Sequence, residues 1–171
     1  MKLDLITNKN DEFYTPKYAI APLIKYLPEG KCWCPFDTVQ SIISKEVSKV
    51  SDVVSTHIQD GFDFFNHEED CDFIVSNPPY SLKGDVFERL FSLGKPFAML
   101  VGIVGLFESK KRFNMFKENE FEVMYLDKRV SYFKDYNDPK PVLNPPFSSV
   151  WLCSKILPKQ IVFEEIDKKD V

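Results

Sequence analysis

Glycine is scarce in this chain, and long apolar runs are absent. Only 6 of the 171 residues are glycine, and they nowhere form the glycine-rich loop that cradles a phosphate, which argues against a nucleotidyltransferase. No apolar run approaches the roughly 18 residues that a membrane-crossing helix needs. The first ten residues are too polar for a signal peptide. The sequence therefore predicts a cytoplasmic protein with no membrane partner.

A basic excess is also lacking, because the formal net charge is −4. Proteins that grip a nucleic-acid backbone usually carry a basic face, so any such binding is expected to be weak. The 4 cysteines, at positions 32, 34, 71 and 153, match no zinc-binding spacing. They are predicted to be free thiols in strands, and no metal site is expected.

Strands and helices alternate along most of the chain, which predicts an α/β fold. A length of 171 residues suits one domain, and we expect a flexible N-terminus at 1–11, the domain at 12–160 and a C-terminal tail at 161–171. Strands are predicted at 31–34, 52–56, 72–76, 97–101, 122–126, 130–133 and 148–154, and helices at 16–26, 41–50, 85–93 and 109–119, the first with Thr15 as its N-cap. Late strands with antiparallel character predict a mostly parallel sheet with an antiparallel edge and helices on both faces.

The strongest chemical signal is Asn77-Pro78-Pro79-Tyr80, which directly follows a short buried strand. Two consecutive prolines stiffen the turn. A stiff turn can aim the Asn77 side-chain carbonyl and the Pro78 main-chain carbonyl at the two hydrogens of one amino group. Tyr80 supplies a flat face on which a planar ring can stack. The pattern favours a site for an amine on a planar ring, and a rigid turn with a packed tyrosine is the structural alternative.

The segment from Asp72 to Tyr80 resembles the catalytic motif of S-adenosylmethionine-dependent amino-methyltransferases, notably those that act on adenine N6. Similar motifs occur in enzymes that methylate RNA adenines or glutamine side chains, so the substrate stays open. Glu12-Phe13-Tyr14-Thr15-Pro16 resembles the N-terminal motif of adenine-N6 DNA methyltransferases. That resemblance implies a Rossmann-like methyltransferase fold, with Tyr14 and Thr15 beside the methionine end of the cofactor.

The cofactor region departs from the family after the first strand, where a glycine-rich loop is expected but Pro35-Phe36-Asp37-Thr38 stands instead. The resemblance implies that Asp37 reaches the ammonium of S-adenosylmethionine and that Thr38 or Ser41 contacts its carboxylate. Alternatively, Pro35 and Phe36 fill the pocket. Asp63 and Phe64 resemble the next cofactor motif, with Asp63 accepting from the adenine amine. Side chains in place of glycine predict weak cofactor binding.

Residues that would contact the substrate are weaker predictions. Tyr132 and Phe133 lie where the family carries an aromatic that helps hold the target base, and simple packing is the alternative. Lys110, Arg112 and Arg129 belong to short basic runs that would contact nucleic acid or form solvated faces.

A second tetrapeptide of similar shape, Asn144-Pro145-Pro146-Phe147, precedes a predicted strand rather than following one. We interpret it as a stiff loop at the mouth of the pocket, and the alternative is that it is the catalytic motif.

The chain as a whole resembles small methyltransferase-like proteins of bacteriophages and prophages, which implies a bacterial host cell. The leading hypothesis is methyl transfer from S-adenosylmethionine to adenine N6 in DNA. Methylation of RNA adenine or of a protein glutamine are variants of it. The alternative is a cofactor-deficient binding protein with a host protein partner, for example a defence factor. No target-recognition domain is expected, so binding to DNA, more than to RNA, is predicted to be weak or assisted by a partner.

Overall fold

The computed structural model describes residues 14–133 and 147–171. In these residues, seven short strands form one sheet that is covered by helices on both faces. The α-helices are α1 (Lys17–Ile24), α2 (Ile42–Val47), α3 (Lys83–Leu93) and α4 (Lys110–Glu118). The strands are β1 (Lys31–Cys34), β2 (Asp52–Ser55), β3 (Phe73–Ser76), β4 (Phe97–Gly102), β5 (Glu122–Leu126), β6 (Ser149–Ser154) and β7 (Ile161–Glu164).

The strand order is β2-β1-β3-β4-β6-β5-β7. Neighbours among β2, β1, β3 and β4 are parallel, β6 is antiparallel to both β4 and β5, and β7 is parallel to β5. This confirms the predicted Rossmann-like, mostly parallel sheet, and the antiparallel strand lies between β4 and β5. The parallel strands β1 to β4 all end at the same edge, where ligands bind in open α/β sheets.

The burial pattern explains why these segments are strands. Successive side chains of a strand point to opposite faces, and here both faces are apolar. Cys32 and Cys34 pack with α1 and α2 on one face. Trp33, between them, packs with α3 on the other, which α4 also covers. All four cysteines are buried free thiols, and three of them lie in strands. No helix in 14–133 or 147–171 is long and apolar enough to cross a membrane.

Three local predictions are corrected by the structure. Residues 130–133 do not form a strand, and Phe133 makes only an isolated bridge to Tyr14. The N-cap of α1 is Pro16, whose side chain has no acceptor that could cap the helix, and the hydroxyl of Thr15, the predicted cap, accepts from Asn77 instead. The segment placed in a C-terminal tail contains β7, which pairs with β5 and extends the sheet past residue 160.

Candidate active site

The Asn-Pro-Pro-Tyr motif lies at the carboxyl end of β3, which is flanked by β1 and β4 near the middle of the sheet. The Asn77 Nδ2 donates a hydrogen bond to Thr15 Oγ1 at 3.1 Å, and Asn77 Oδ1 is shielded from solvent. The bond to Thr15 fixes the orientation of the Asn77 amide, with its nitrogen toward Thr15. Pro78 is buried, and Pro79 leads into a short 3-10 turn that begins at Tyr80.

The Tyr80 side chain is held by a chain of hydroxyl groups. Its hydroxyl donates to the Tyr132 hydroxyl at 3.0 Å, and the Tyr132 hydroxyl lies 2.6 Å from Ser149 Oγ at the start of β6. Burial raises the pKa of Tyr80 well above its ordinary value and raises the pKa of Tyr132 to about 12. Both phenols are therefore neutral at physiological pH, and the chain serves to position the Tyr80 ring.

Phe147 closes the other side of this aromatic group. Its ring centroid lies 5.1 Å from that of Tyr80 with an interplanar angle of 66°. The ring also lies against the end of β4, since a Cβ added at Gly102 would come within 2.8 Å of the Phe147 ring. Gly102 thus permits the close approach of Phe147. This residue ends the second tetrapeptide of the sequence, whose Asn144, Pro145 and Pro146 lie outside the described residues.

Asp37 lies in the turn after β1 and is 6% exposed. Its two carboxylate oxygens accept hydrogen bonds from Ser41, at the N-cap of α2, and from Ser76, the last residue of β3. Burial raises the pKa of Asp37 to about 6, whereas these two hydroxyls lower it. Within 14–133 and 147–171, no cation is among the groups that act on this carboxyl. Among the described residues, the groups that compensate this buried acid are the hydroxyls of Ser41 and Ser76.

Asp37 and Asn77 belong to the same edge of the sheet, because Ser76 bonds the first and directly precedes the second. Ser76 Oγ also accepts from the main-chain N–H of Phe36 at 3.2 Å, which fastens the turn after β1 to the end of β3. The Thr38 side chain is partly exposed, and its carbonyl accepts from Ser41 N. The family resemblance predicts that the methionine end of a cofactor would lie here.

Asp63 and Phe64, predicted for the adenine end of the cofactor, are both engaged within the protein. The Asp63 carboxylate accepts from Phe65 N at 3.0 Å and from Asn66 Nδ2 at 2.9 Å. Phe64 is 3% exposed, and its ring lies 4.8 Å from that of Phe36. Two aromatic side chains therefore pack together where the adenine end of the cofactor is predicted.

The remaining predicted residues are dispersed. Tyr14 is partly buried and exchanges main-chain hydrogen bonds with Phe133. Arg112 donates to the carbonyls of Leu106 and Gly105, so it braces the loop after β4. Lys110 and Arg129 are exposed. The structure brings together Thr15, Asn77, Tyr80 and Tyr132, and it does not bring the basic residues into one cluster with them.

Sequence reasoning named Ser41, which donates to Asp37, but missed two other serines that support the site. Ser76 and Ser149 each bond a predicted residue, and each stands at the end of a strand. Position at an element terminus was the available signal, since such polar residues commonly satisfy terminal or neighbouring polar groups.

Comparison with known proteins identifies no family for this chain. No protein-family model and no curated protein sequence matches this chain. One similar solved structure is that of a Vibrio vulnificus protein described as a modification subunit of a putative type I restriction enzyme. The two share 12% identity with a TM-score of 0.48, over 96% of this chain and 49% of that one, so this chain spans about half of its length. A similarity of this size carries no argument about function, and the strand order described above is what establishes the α/β fold class.

Proposed function

We propose that this protein transfers a methyl group from S-adenosylmethionine to the exocyclic amine of a planar ring, with adenine N6 in DNA as the leading substrate. The observation that carries the proposal is the Asn77 amide at the carboxyl end of β3, with its nitrogen bonded to Thr15 Oγ1 at 3.1 Å. In this proposal the amide oxygen, at the other end of the side chain, accepts a hydrogen of the substrate amine.

The residues of the chain itself would act on the amine by orientation. In this proposal the Asn77 side-chain oxygen and the Pro78 main-chain oxygen accept the two amine hydrogens, and the nitrogen lone pair then points at the methyl donor. Preorganised acceptors of this kind lower the barrier because they need no rearrangement as charge develops. The Tyr80 ring, held through Tyr132 and packed against Phe147, provides the face for the ring of the substrate.

The cofactor fits the chemistry of one end of the site. Asp37 is a buried carboxylate with no cation among the described groups that act on it, and a bound ammonium would supply one. In this proposal Asp37 and Thr38 hold the methionine end of S-adenosylmethionine, with Tyr14 and Thr15 nearby. The bound cofactor supplies an electrophilic methyl group on its sulfonium, so that direct displacement by the amine needs no covalent enzyme intermediate.

A second candidate is a binding protein that keeps the amine site without methyl transfer. Two observations favour it: the Phe36 and Phe64 rings pack against each other at the predicted adenine end, and both Asp63 oxygens are engaged in a local turn. Such a protein would act by contact with nucleic acid or with a host protein. Methylation of RNA adenine or of a protein glutamine remain substrate variants of the first proposal.

The test is a methyl-transfer assay with labelled S-adenosylmethionine and single-stranded, mismatched and duplex DNA, RNA and host-cell protein as acceptors. Replacing Asn77 by alanine should lower the rate by roughly 100-fold, the usual scale for loss of a preorganised polar group. Asn114→Ala, at an exposed position of α4, is the matched control and should leave the rate unchanged.

Two results would count against methyl transfer. Activity that survives Asn77→Ala would contradict the role of the amide. A wild-type protein that labels none of the acceptors would favour the binding-protein candidate.

A further inference from the structure

The strand β7 forms one edge of the sheet and carries exposed apolar side chains. Ile161 is 49% exposed and Phe163 is 78% exposed. The Phe163 ring stacks on that of Tyr125 in the neighbouring strand β5, with centroids 5.7 Å apart and an interplanar angle of 25°. Tyr125 is itself 37% exposed. Three large apolar side chains thus share one face at the edge of the sheet.

The main chain of β7 alternates between groups that bond β5 and groups that point away from it. The carbonyls of Gln160 and Glu164 accept from Val123 N at 2.8 Å and from Asp127 N at 3.1 Å. Along a strand, successive residues turn their N–H and C=O groups to opposite sides, so the odd-numbered residues of β7 face away from β5. Ile161 and Phe163 therefore direct theirs outward, and no strand lies beyond β7 among residues 14–133 and 147–171. An open edge of this kind is a template for pairing with another strand.

The sequence around β7 is complementary to itself when it is read in the opposite direction. Centred on Val162, an antiparallel copy places Ile161 opposite Phe163 and Lys159 opposite Glu165. The Ile161–Phe163 pairs use the outward main-chain groups of β7, and Lys159 and Glu165 flank the strand on either side. Each pair joins two apolar side chains or two opposite charges, the cross-strand combinations that stabilise sheets.

We infer that β7 pairs with β7 of a second copy of this chain, antiparallel about a two-fold axis at Val162, and joins the two sheets. The interface is isologous, as closed two-fold dimers require. It brings Phe163 and Ile161 of the two copies together on one face, flanked by Tyr125 and bordered by two Lys159–Glu165 pairs. It lies away from the carboxyl edge that holds Asn77, so it is independent of the proposed reaction.

The first test is sedimentation velocity of the full chain over a range of concentrations. The wild type should be dimeric at about 100 µM, a concentration at which a pairing of micromolar affinity is saturated. Phe163→Lys should be monomeric there. Phe113→Lys removes a comparably exposed aromatic, 57% exposed on α4, and should stay dimeric. Thermal unfolding of both variants will show whether each is folded.

The second test reverses the charges. Lys159→Glu sets two glutamates opposite each other, and Glu165→Lys sets two lysines opposite each other, so each variant alone should dimerise roughly tenfold more weakly. Mixed together, the two variants should form a heterodimer, because the like-charge pairs of each homodimer are then relieved. A monomeric wild type, equal loss in Phe113→Lys, or a mixture no tighter than its components would overturn the proposal.

Discussion

Replacing Asp37 by asparagine tests whether the buried acid costs the protein stability. Both carboxylate oxygens accept from hydroxyls, of Ser41 and Ser76. An amide keeps both contacts, since its oxygen accepts from one hydroxyl and its nitrogen donates to the other after that hydroxyl rotates. The substitution therefore removes the charge and changes the packing little.

The magnitude follows from the pKa of Asp37, which burial raises from 3.8 to about 6. That difference corresponds to about 3 kcal/mol against the ionised form in the folded state. Because the folded protein binds the proton more tightly than the unfolded chain, this cost is absent below about pH 4, grows as pH rises to about 6 and is constant above that. At pH 8 we expect Asp37→Asn to be more stable than the wild type by about 1–3 kcal/mol, or roughly 2–4 °C in melting temperature per kcal/mol.

The assay is thermal unfolding of the wild type and the variant from pH 4 to pH 8, with the difference in melting temperature plotted against pH. That difference should be near zero at the acid end and should rise through about pH 6 to a plateau. Asp60→Asn, at an exposed turn, controls for the loss of one negative charge. A variant less stable than the wild type at every pH would refute the reasoning, since Asp37 would then stabilise the fold as an anion.

Three further results are expected. Thr15→Val removes the acceptor for Asn77 Nδ2 and should slow methyl transfer about fivefold, the effect of one neutral hydrogen bond. Thr15→Ser keeps the hydroxyl and should keep the rate. Equal rates in the two variants would contradict the orienting role of Thr15. Gly102→Ala should destabilise the protein by about 1–3 kcal/mol in denaturant titration, because the new Cβ meets the Phe147 ring. If that clash is the cause, the double variant Gly102→Ala/Phe147→Ala should recover part of the lost stability. Binding to DNA, followed by fluorescence anisotropy, should be weak, should weaken further with added salt and should favour single-stranded or mismatched sites; tight duplex binding that ignores salt would contradict this expectation.

The central strands were predictable because each is a short apolar run bounded by turn residues. The predicted bounds of β1 and β5 agree with the structure at both ends. The segment β7 was not predicted as a strand, because only Val162 of its four residues is buried and its alternation is too short to stand out. Residues 130–133 were predicted as a strand but do not form one. Tyr132 and Phe133 are held by long-range contacts and not by a ladder of main-chain hydrogen bonds.

The motif Asn77–Tyr80 could be placed from sequence, because a buried strand that ends abruptly at two prolines indicates a rigid turn at the sheet edge. Its partners could not. The bond from Asn77 to Thr15 spans 62 positions and that from Tyr80 to Tyr132 spans 52, so both depend on how the chain folds back. The hydrogen bonds that the Asp63 carboxylate accepts could not be predicted either, because the donors Phe65 and Asn66 show no distinctive pattern in the sequence.

Isothermal titration calorimetry of the purified protein with S-adenosylmethionine tests the central claim most directly. We expect binding at tens of micromolar, about −6 kcal/mol, with the product S-adenosylhomocysteine also binding. Asp37→Asn should weaken the binding of both ligands by about tenfold, because an ion-pair contact is lost, although the variant is at least as stable. Absence of heat with either ligand at millimolar concentration would contradict the methyltransferase proposal and leave the binding-protein candidate in its place.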